Sequence, residues 1–283
     1  GWADGFENAL TYFEIWNEAD LLDFWPNTLN SGAQAYYEMY DVVGKAAKNV
    51  DPDLPVGGPT ITTHNDDRGL EYGFLDYVKA NGSPLDFWSF HYYPSVNADP
   101  YDYARWANMY EAILAEYGYD IPLFLSEYGT NIFGNPFTMS ANAQNTFHTA
   151  ALIYMQQSVM ERAYSYSRFV GRNNAMSSAY YGYKALVNFK ETNQILDTTG
   201  NDKNGFAVLA GTNEANDKIN VLIANYEMPA SQMLSNATDE SHNPIISDGK
   251  LIPPNEVAAW SLPEARVMTY ENNAGYNLTI NNV

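Results

Sequence analysis

A chain of 283 residues, of which 46% are apolar and 15% aromatic, can bury a sizeable core in one large domain or two smaller ones, which excludes wholesale disorder. The net charge of −20 repels phosphate backbones and anionic lipid, which argues against nucleic-acid and membrane-surface roles. The lack of cysteine excludes disulfides, thiolate nucleophiles and zinc–sulfur sites.

Strands and helices are predicted to alternate along the first two thirds of the chain. The strands are expected at about 11–17, 54–59, 85–91, 121–127 and 162–169, and the helices at about 32–49, 69–80, 101–117, 140–160 and 178–190. The connections are too long for hairpins, so this alternation predicts βαβ units around a parallel sheet.

The pattern changes from about residue 191, where turn-rich sequence leads into strands without intervening helices. Strands are predicted over 206–210 and 219–224, separated by Asn, Gly and Asp. We therefore expect two domains: an α/β domain at 1–190 and a small β-sandwich-like domain at 191–283.

Two glutamates close apolar strands, Glu18 the first and Glu127 the fourth. Removing a carboxylate from water is costly unless it is paired, so an acidic end of a buried strand requires an explanation. The carboxyl ends of parallel strands meet at one edge of a sheet, which predicts that the two glutamates form one acid pair. Such a pair is the equipment for glycosidic bond cleavage, in which one carboxyl protonates the leaving oxygen and the other attacks the sugar or activates water.

The motifs around these glutamates resemble those of clan A glycoside hydrolases, which are retaining (β/α)8 barrels. Trp16-Asn17-Glu18 resembles the end of the fourth strand of that barrel, Asp86 to Pro94 the sixth, and Ser126-Glu127-Tyr128-Gly129 the seventh. The chain is more similar to family 39, the β-xylosidase family, whose first three βα units have no counterpart here. The resemblance implies an incomplete TIM-like barrel, with strands equivalent to the fourth to eighth, followed by the small β domain.

The resemblance also implies roles for individual residues. Glu18 would be the acid/base and Glu127 the nucleophile. Asn17 would bind the sugar 2-hydroxyl, an interaction that strengthens in the transition state. His91 and Tyr93 lie two residues apart on one strand and so share a face; Tyr93 would donate to Glu127, and His91 would position that carboxylate or a sugar hydroxyl.

Several aromatic side chains are candidates for stacking on the apolar face of a pyranose. Trp25, in the loop after Glu18, is the favoured platform, and Tyr128 and Tyr166 are further substrate-binding candidates. The remaining candidates are Trp16, Trp88, Phe133 and Tyr164, of which the two tryptophans are expected in the core. Where the clan usually presents a tryptophan platform, the eighth-strand equivalent offers Tyr164, Tyr166 and Arg168.

Two further polar features of the sequence are interpreted without a catalytic role. His64, Asn65, Asp66 and Asp67 resemble a metal cluster, but without matching ligands elsewhere a solvated loop is favoured, so neither metal nor cofactor is predicted. Glu14 is expected to be a buried structural carboxylate paired with a cation.

The sequence therefore predicts a retaining glycoside hydrolase acting on β-glycosides, with β-xylosides favoured by the family resemblance alone. The alternative is a non-catalytic carbohydrate-binding or scaffold protein on a degenerate barrel. Five parallel strands leave two unpaired edges, so we expect a homo-oligomer or a complementing chain that supplies the missing units. A sugar substrate is the expected ligand, and neither nucleic acid nor membrane is an expected partner. No signal peptide is visible, and an extracellular or periplasmic location is favoured.

Overall fold

The computed structural model describes most of the first 226 residues and three short segments beyond them. The described ranges are 10–25, 31–62, 70–93, 99–129, 141–166, 169–170, 176–199 and 205–226, with the strands at 245–247, 250–252 and 279–280.

A five-stranded parallel sheet forms the first part of the fold, with the strands in chain order. The strands are β1 (Phe13–Glu14), β2 (Val56–Ile61), β3 (Phe87–Tyr92), β4 (Leu123–Tyr128) and β5 (Met160–Ser165). The helices between and after them are α1 (Ser31–Val50), α2 (Leu70–Asn81), α3 (Asp102–Glu116), α4 (Ala141–Gln156) and α5 (Ser178–Val187), which a short 3₁₀ helix, Asn188–Glu191, extends. The predicted βα alternation is confirmed, and the fold is an incomplete α/β barrel.

Aromatic side chains fill the layer between the sheet and α1 and α2. Tyr36, Tyr40, Phe74 and Trp88 are fully buried, and the Tyr40 ring meets the Phe74 ring edge-on at 4.7 Å. A buried phenol must bond its hydroxyl, and that of Tyr40 donates to the carbonyl of Pro84 at 2.9 Å. The aromatic spacing that predicted the first helix therefore marks its buried face.

The opposite face of the sheet is filled near the amino ends of the strands. Phe87 and Phe124 stack at 4.6 Å between centroids, and the Tyr12 ring meets Phe124 edge-on at 4.9 Å. The Arg162 guanidinium of β5 donates to the Tyr12 hydroxyl at 3.2 Å. This contact joins β5 to the residue that precedes β1, across the concave face of the sheet.

The outer strand β5 is open on both faces. Its residues from Glu161 to Tyr164 are all exposed, whereas β2 and β3 are buried along their whole length. A central barrel strand has both faces covered. β5 also differs from the prediction of 162–169 in starting and ending earlier.

The β-rich character predicted after residue 191 is observed. β6 (Gln194–Leu196), β8 (Phe206–Thr212) and β9 (Ile219–Asn225) form an antiparallel sheet, and β7 (Thr198–Thr199) pairs with β12 (Thr279–Ile280). A further hairpin joins β10 (Ile245–Ser247) to β11 (Lys250–Ile252).

The three-stranded sheet lies on the barrel. β8 is buried throughout, Gln157 donates to the carbonyl of Val208 at 2.8 Å, and the rings of Phe147 and Tyr226 lie 5.4 Å apart. The division into domains at 190/191 remains a prediction. None of the described helices is long and apolar enough to cross a membrane.

Candidate active site

The backbone around Glu18 leaves regular strand geometry before it reaches the end of β2. Ile15 donates to the carbonyl of Gly57 at 3.0 Å and Glu18 to that of Thr60 at 2.9 Å, but Trp16 and Glu18 have left-handed φ angles of 73° and 47°. Such angles are rare in bulky residues and cluster at functional sites. Glu18 itself is only 8% exposed.

A β-bulge sets the direction of Glu127. Phe90 of β3 pairs with Leu125 and His91 with Glu127, so Ser126 has no partner on β3. The extra residue places Phe124 and Glu127, three positions apart, on the same face, because Phe124 stacks on Phe87 and Glu127 approaches His91. Strict alternation would turn Glu127 to the helix side of the sheet.

His91 lies between the two glutamates and is 2% exposed. Its Nδ1 is 2.7 Å from Oε1 of Glu18 and 4.0 Å from Oε2 of Glu127. One ligand atom from each of the three residues lies within 4.8 Å of the other two. Two carboxyl groups about 5–5.5 Å apart are the arrangement of retaining glycosidases, in which no water fits between nucleophile and acid.

The Tyr93 hydroxyl donates to Oε1 of Glu127. Burial, that hydrogen bond and the charges of Glu127 and Glu18 raise the pKa of Tyr93 well above its ordinary value, so the phenol stays a donor. An added Cβ at Gly129 would lie 2.9 Å from Cε1 of Tyr93, which explains why glycine follows the Ser-Glu-Tyr motif. The phenol thus holds the Glu127 carboxylate in place through its hydroxyl.

The other predicted substrate contacts divide into rim and core positions. Asn17 is partly buried beside Glu18, and Tyr166 is 70% exposed, with its amide donating to the carbonyl of Tyr128 at 2.7 Å. Tyr128 is buried, its hydroxyl bonded to that of Tyr183 on α5. Its ring therefore lies in the packing between sheet and helix, while its substrate role remains a prediction.

Trp16 and Trp25 form an edge-on pair with ring centroids 5.3 Å apart. Trp25 also meets the ring of Tyr36 at 5.8 Å and packs against the core. Trp16 is 49% exposed, with its indole N–H bonded to the carbonyl of Phe24 at 3.3 Å. The expectation of a core position is correct for Trp88 and wrong for Trp16, because its left-handed backbone turns it outwards.

Asp20 is a buried carboxylate of the site region that the sequence did not reveal. It is 4% exposed, and its two oxygens each lie 3.1 Å from the Thr62 amide N–H and accept from it. The Thr62 hydroxyl also donates to Oδ2. No pattern marks an aspartate in a loop as buried, because its burial depends on the position of Thr62, which is distant in the chain.

The Glu18, His91 and Glu127 group also has the donor types of a divalent-cation site, two carboxylates and an imidazole.

Some residues named from the sequence lie outside the described residues. They are Phe133, Arg168 and the loop His64–Asp67. Oε1 of Glu14 is buried and has no hydrogen-bond partner within the part of the chain that the structure describes. Its predicted pairing with a cation remains a prediction.

Comparison with known proteins agrees with this geometry. Residues 7–213 match the family model described as glycosyl hydrolases family 39. The chain is 39% identical to a β-xylosidase of Geobacillus stearothermophilus over 92 residues, which are 32% of this chain and 17% of that protein. It is 36% identical to a β-xylosidase of Caldicellulosiruptor saccharolyticus over 103 residues, 36% of this chain and 19% of that protein.

Solved structures share the fold. A glucosidase from Croceicoccus marinus superposes with a TM-score of 0.69 at 32% identity, covering 82% of this chain and 52% of that one. A family 39 β-xylosidase from Caulobacter crescentus superposes with a TM-score of 0.58 at 20% identity, covering 88% of this chain and 65% of that one. The chain therefore spans less than two thirds of the length of these relatives.

Proposed function

Because the chain belongs to glycosyl hydrolases family 39, we propose that it is a retaining glycoside hydrolase that cleaves β-glycosides by double displacement. The observation that carries the proposal is the meeting of Glu18, His91 and Glu127 atoms within 4.8 Å of one another. That spacing suits a carboxylate that attacks the sugar directly, since an inverting enzyme keeps its carboxyls about 6.5–9.5 Å apart to admit water.

In the first displacement, Glu127 attacks the anomeric carbon as Glu18 gives a proton to the departing oxygen. In the second, Glu18 takes a proton from the water that releases the sugar from Glu127. Tyr93 holds Glu127 in place through its hydroxyl, and His91 holds Glu18. Asn17, Trp25, Tyr128 and Tyr166 are the proposed substrate-binding residues.

We favour β-xylosides as substrates because the relatives from Geobacillus stearothermophilus and Caldicellulosiruptor saccharolyticus both carry the name β-xylosidase. The structural relative named glucosidase makes β-glucosides the next candidate. No cofactor takes part in the proposed mechanism.

The test is a panel of aryl β-xylosides, β-glucosides and α-arabinosides with product anomers followed by proton NMR. We expect the highest kcat/KM on β-xylosides, and β-xylose as the first-formed anomer, because two displacements restore the original configuration. A first product of the α configuration would contradict the proposed mechanism. Faster turnover of β-glucosides would change only the substrate.

The second candidate function is a carbohydrate-binding or scaffold protein. It is favoured by the exposure of β5 on both faces, because an open site admits bulk water beside the reacting sugar. Saturable binding of xylobiose, measured by calorimetry, without turnover of any aryl glycoside would support it.

We also propose that this chain reaches a stable, active state only in association. The supporting observations are the open strand β5 and the buried oxygen of Glu14, which has no hydrogen-bond partner among the described residues. Open edges of a parallel sheet recruit further strands. The partner is a second copy or a complementing chain that supplies barrel units.

If the partner is a second copy, light scattering of the purified chain is expected to give a mass above the 31.7 kDa of one copy. If the partner is a complementing chain, an activity assay is expected to show turnover only after that chain is added. A monodisperse, folded and catalytically competent monomer would contradict this proposal without affecting the assignment of Glu18 and Glu127.

A further inference from the structure

Asp20 joins the segment that carries Glu18 to the end of the neighbouring strand. The Glu18 amide donates to the carbonyl of Thr60 at 2.9 Å, and two residues later the Asp20 carboxylate accepts from both the amide and the hydroxyl of Thr62. Both ends of this short segment are therefore bonded to the end of β2.

The segment needs such a link because its backbone is not held by regular strand pairing. Trp16 and Glu18 have left-handed φ angles, and so does Thr60 at 58°, which lies where the β2–β3 register shifts. Regular pairing of β1 with β2 ends at Glu14. Beyond that point, the position of the Glu18 carboxyl depends on individual hydrogen bonds.

The ionised form of Asp20 does not benefit the stability of the fold. Burial raises its pKa above the ordinary value, against the opposing effect of the Thr62 bonds, and the nearby Glu18 charge raises it further. A raised pKa means that the folded state takes up the proton more readily than the unfolded state. The charge therefore costs stability at neutral pH, and the cost is relieved as the pH falls. What points to a role for Asp20 is its geometry: it is 4% exposed, lies two residues from Glu18 and bonds both the amide and the hydroxyl of Thr62.

We propose that Asp20 is a positioning residue, which holds the Glu18 carboxyl at the distance needed for proton transfer by bonding to Thr62. The inference rests on the proposed function of Glu18 as acid/base. Asp20 acts through the backbone of its own segment and touches neither sugar nor leaving group.

The role has a kinetic signature that depends on the leaving group. A poor leaving group such as phenoxide needs the proton from Glu18, whereas 2,4-dinitrophenoxide departs without it. Asp20→Ala is expected to lower kcat/KM for phenyl β-xyloside by about 10²-fold and for the 2,4-dinitrophenyl analogue by less than about tenfold. Asp20→Asn, which keeps one oxygen acceptor for the Thr62 amide, is expected to recover most of the loss.

Asp86 supplies the matched control. Its Oδ2 accepts from the amide of Val56 at 2.8 Å and lies 2.7 Å from Nζ of Lys48, so it bonds the opposite end of β2. Asp86→Ala removes a carboxylate that bonds a backbone amide of β2, together with its ion pair to Lys48, at the end of the strand opposite to Glu18. It is expected to lower activity, if at all, by the same factor on every leaving group.

Hydrogen exchange gives a second measurement that needs no turnover. In Asp20→Ala, exchange of the Glu18 and Thr62 amides is expected to rise about tenfold, while the amides of β3 keep their protection. Unchanged exchange at Glu18, or a loss of activity equal for all leaving groups, would overturn the positioning role. Absence of turnover in the parent protein would instead contradict the proposed function, and exchange would still decide the role of Asp20.

Discussion

Replacing Glu127 by alanine is expected to lower kcat on aryl β-xylosides by at least about 10⁴-fold, the scale seen when an enzyme loses its nucleophile. The physical reason is that the variant lacks the carboxylate proposed to attack the anomeric carbon. Among the described residues, no other carboxylate both accepts from the Tyr93 hydroxyl and lies 4.0 Å from Nδ1 of His91. The alanine also leaves a space about the size of a small anion at the point of attack.

Added azide tests that space. In Glu127→Ala, azide is expected to attack from the face that Glu127 occupied and to give an α-glycosyl azide from a β-glycoside, because only one displacement then occurs. Glu111→Ala, which removes an exposed glutamate of α3, is the matched control and is expected to keep full activity. Full activity of Glu127→Ala would contradict both the assignment of Glu127 as nucleophile and the proposed mechanism.

Much of the sheet could be predicted because each of its elements carries a local signal. Apolar runs closed by turn residues gave the positions of β2 to β4, and helical spacing gave α1 to α3 within a few residues. The family motifs marked Glu18 and Glu127 because they end such runs. These signals are contained in short windows and do not depend on distant contacts.

What the sequence did not reveal arises from contacts between distant segments or from irregular backbone geometry. The bulge at Ser126 appears only when β3 and β4 are paired, and without it strand alternation assigns Glu127 to the wrong face. The exposure of Trp16 follows from a left-handed φ that no pattern predicts for tryptophan. Tyr128 is a substrate-binding candidate in the sequence, and its burial under α5 is visible only once the helix is packed on the sheet.

The two glutamates of the site have different surroundings. The side chain of Glu18 is 10% exposed and contacts His91, while that of Glu127 is 29% exposed and bonded by Tyr93, a phenol that remains protonated. This difference in surroundings supports the proposal that Glu127 is the nucleophile and Glu18 the proton donor.

Replacing Glu18 by alanine is expected to separate the two displacements. Phenyl β-xyloside, which needs a proton on its leaving oxygen, should lose about 10²- to 10⁴-fold in kcat/KM, the usual contribution of a general acid. With 2,4-dinitrophenyl β-xyloside the first displacement should stay fast. Release of the sugar then becomes limiting, because no base activates water, and a burst of dinitrophenol is expected in rapid mixing.

Azide distinguishes this variant from the alanine variant of Glu127. It needs no general base, so in Glu18→Ala it should accelerate turnover by attacking the sugar held on Glu127, and two displacements then give a β-glycosyl azide. The opposite anomers from the two variants would place the two glutamates on opposite faces of the sugar. An α-azide from Glu18→Ala, or equal loss on both leaving groups, would show that Glu18 does not supply the proton.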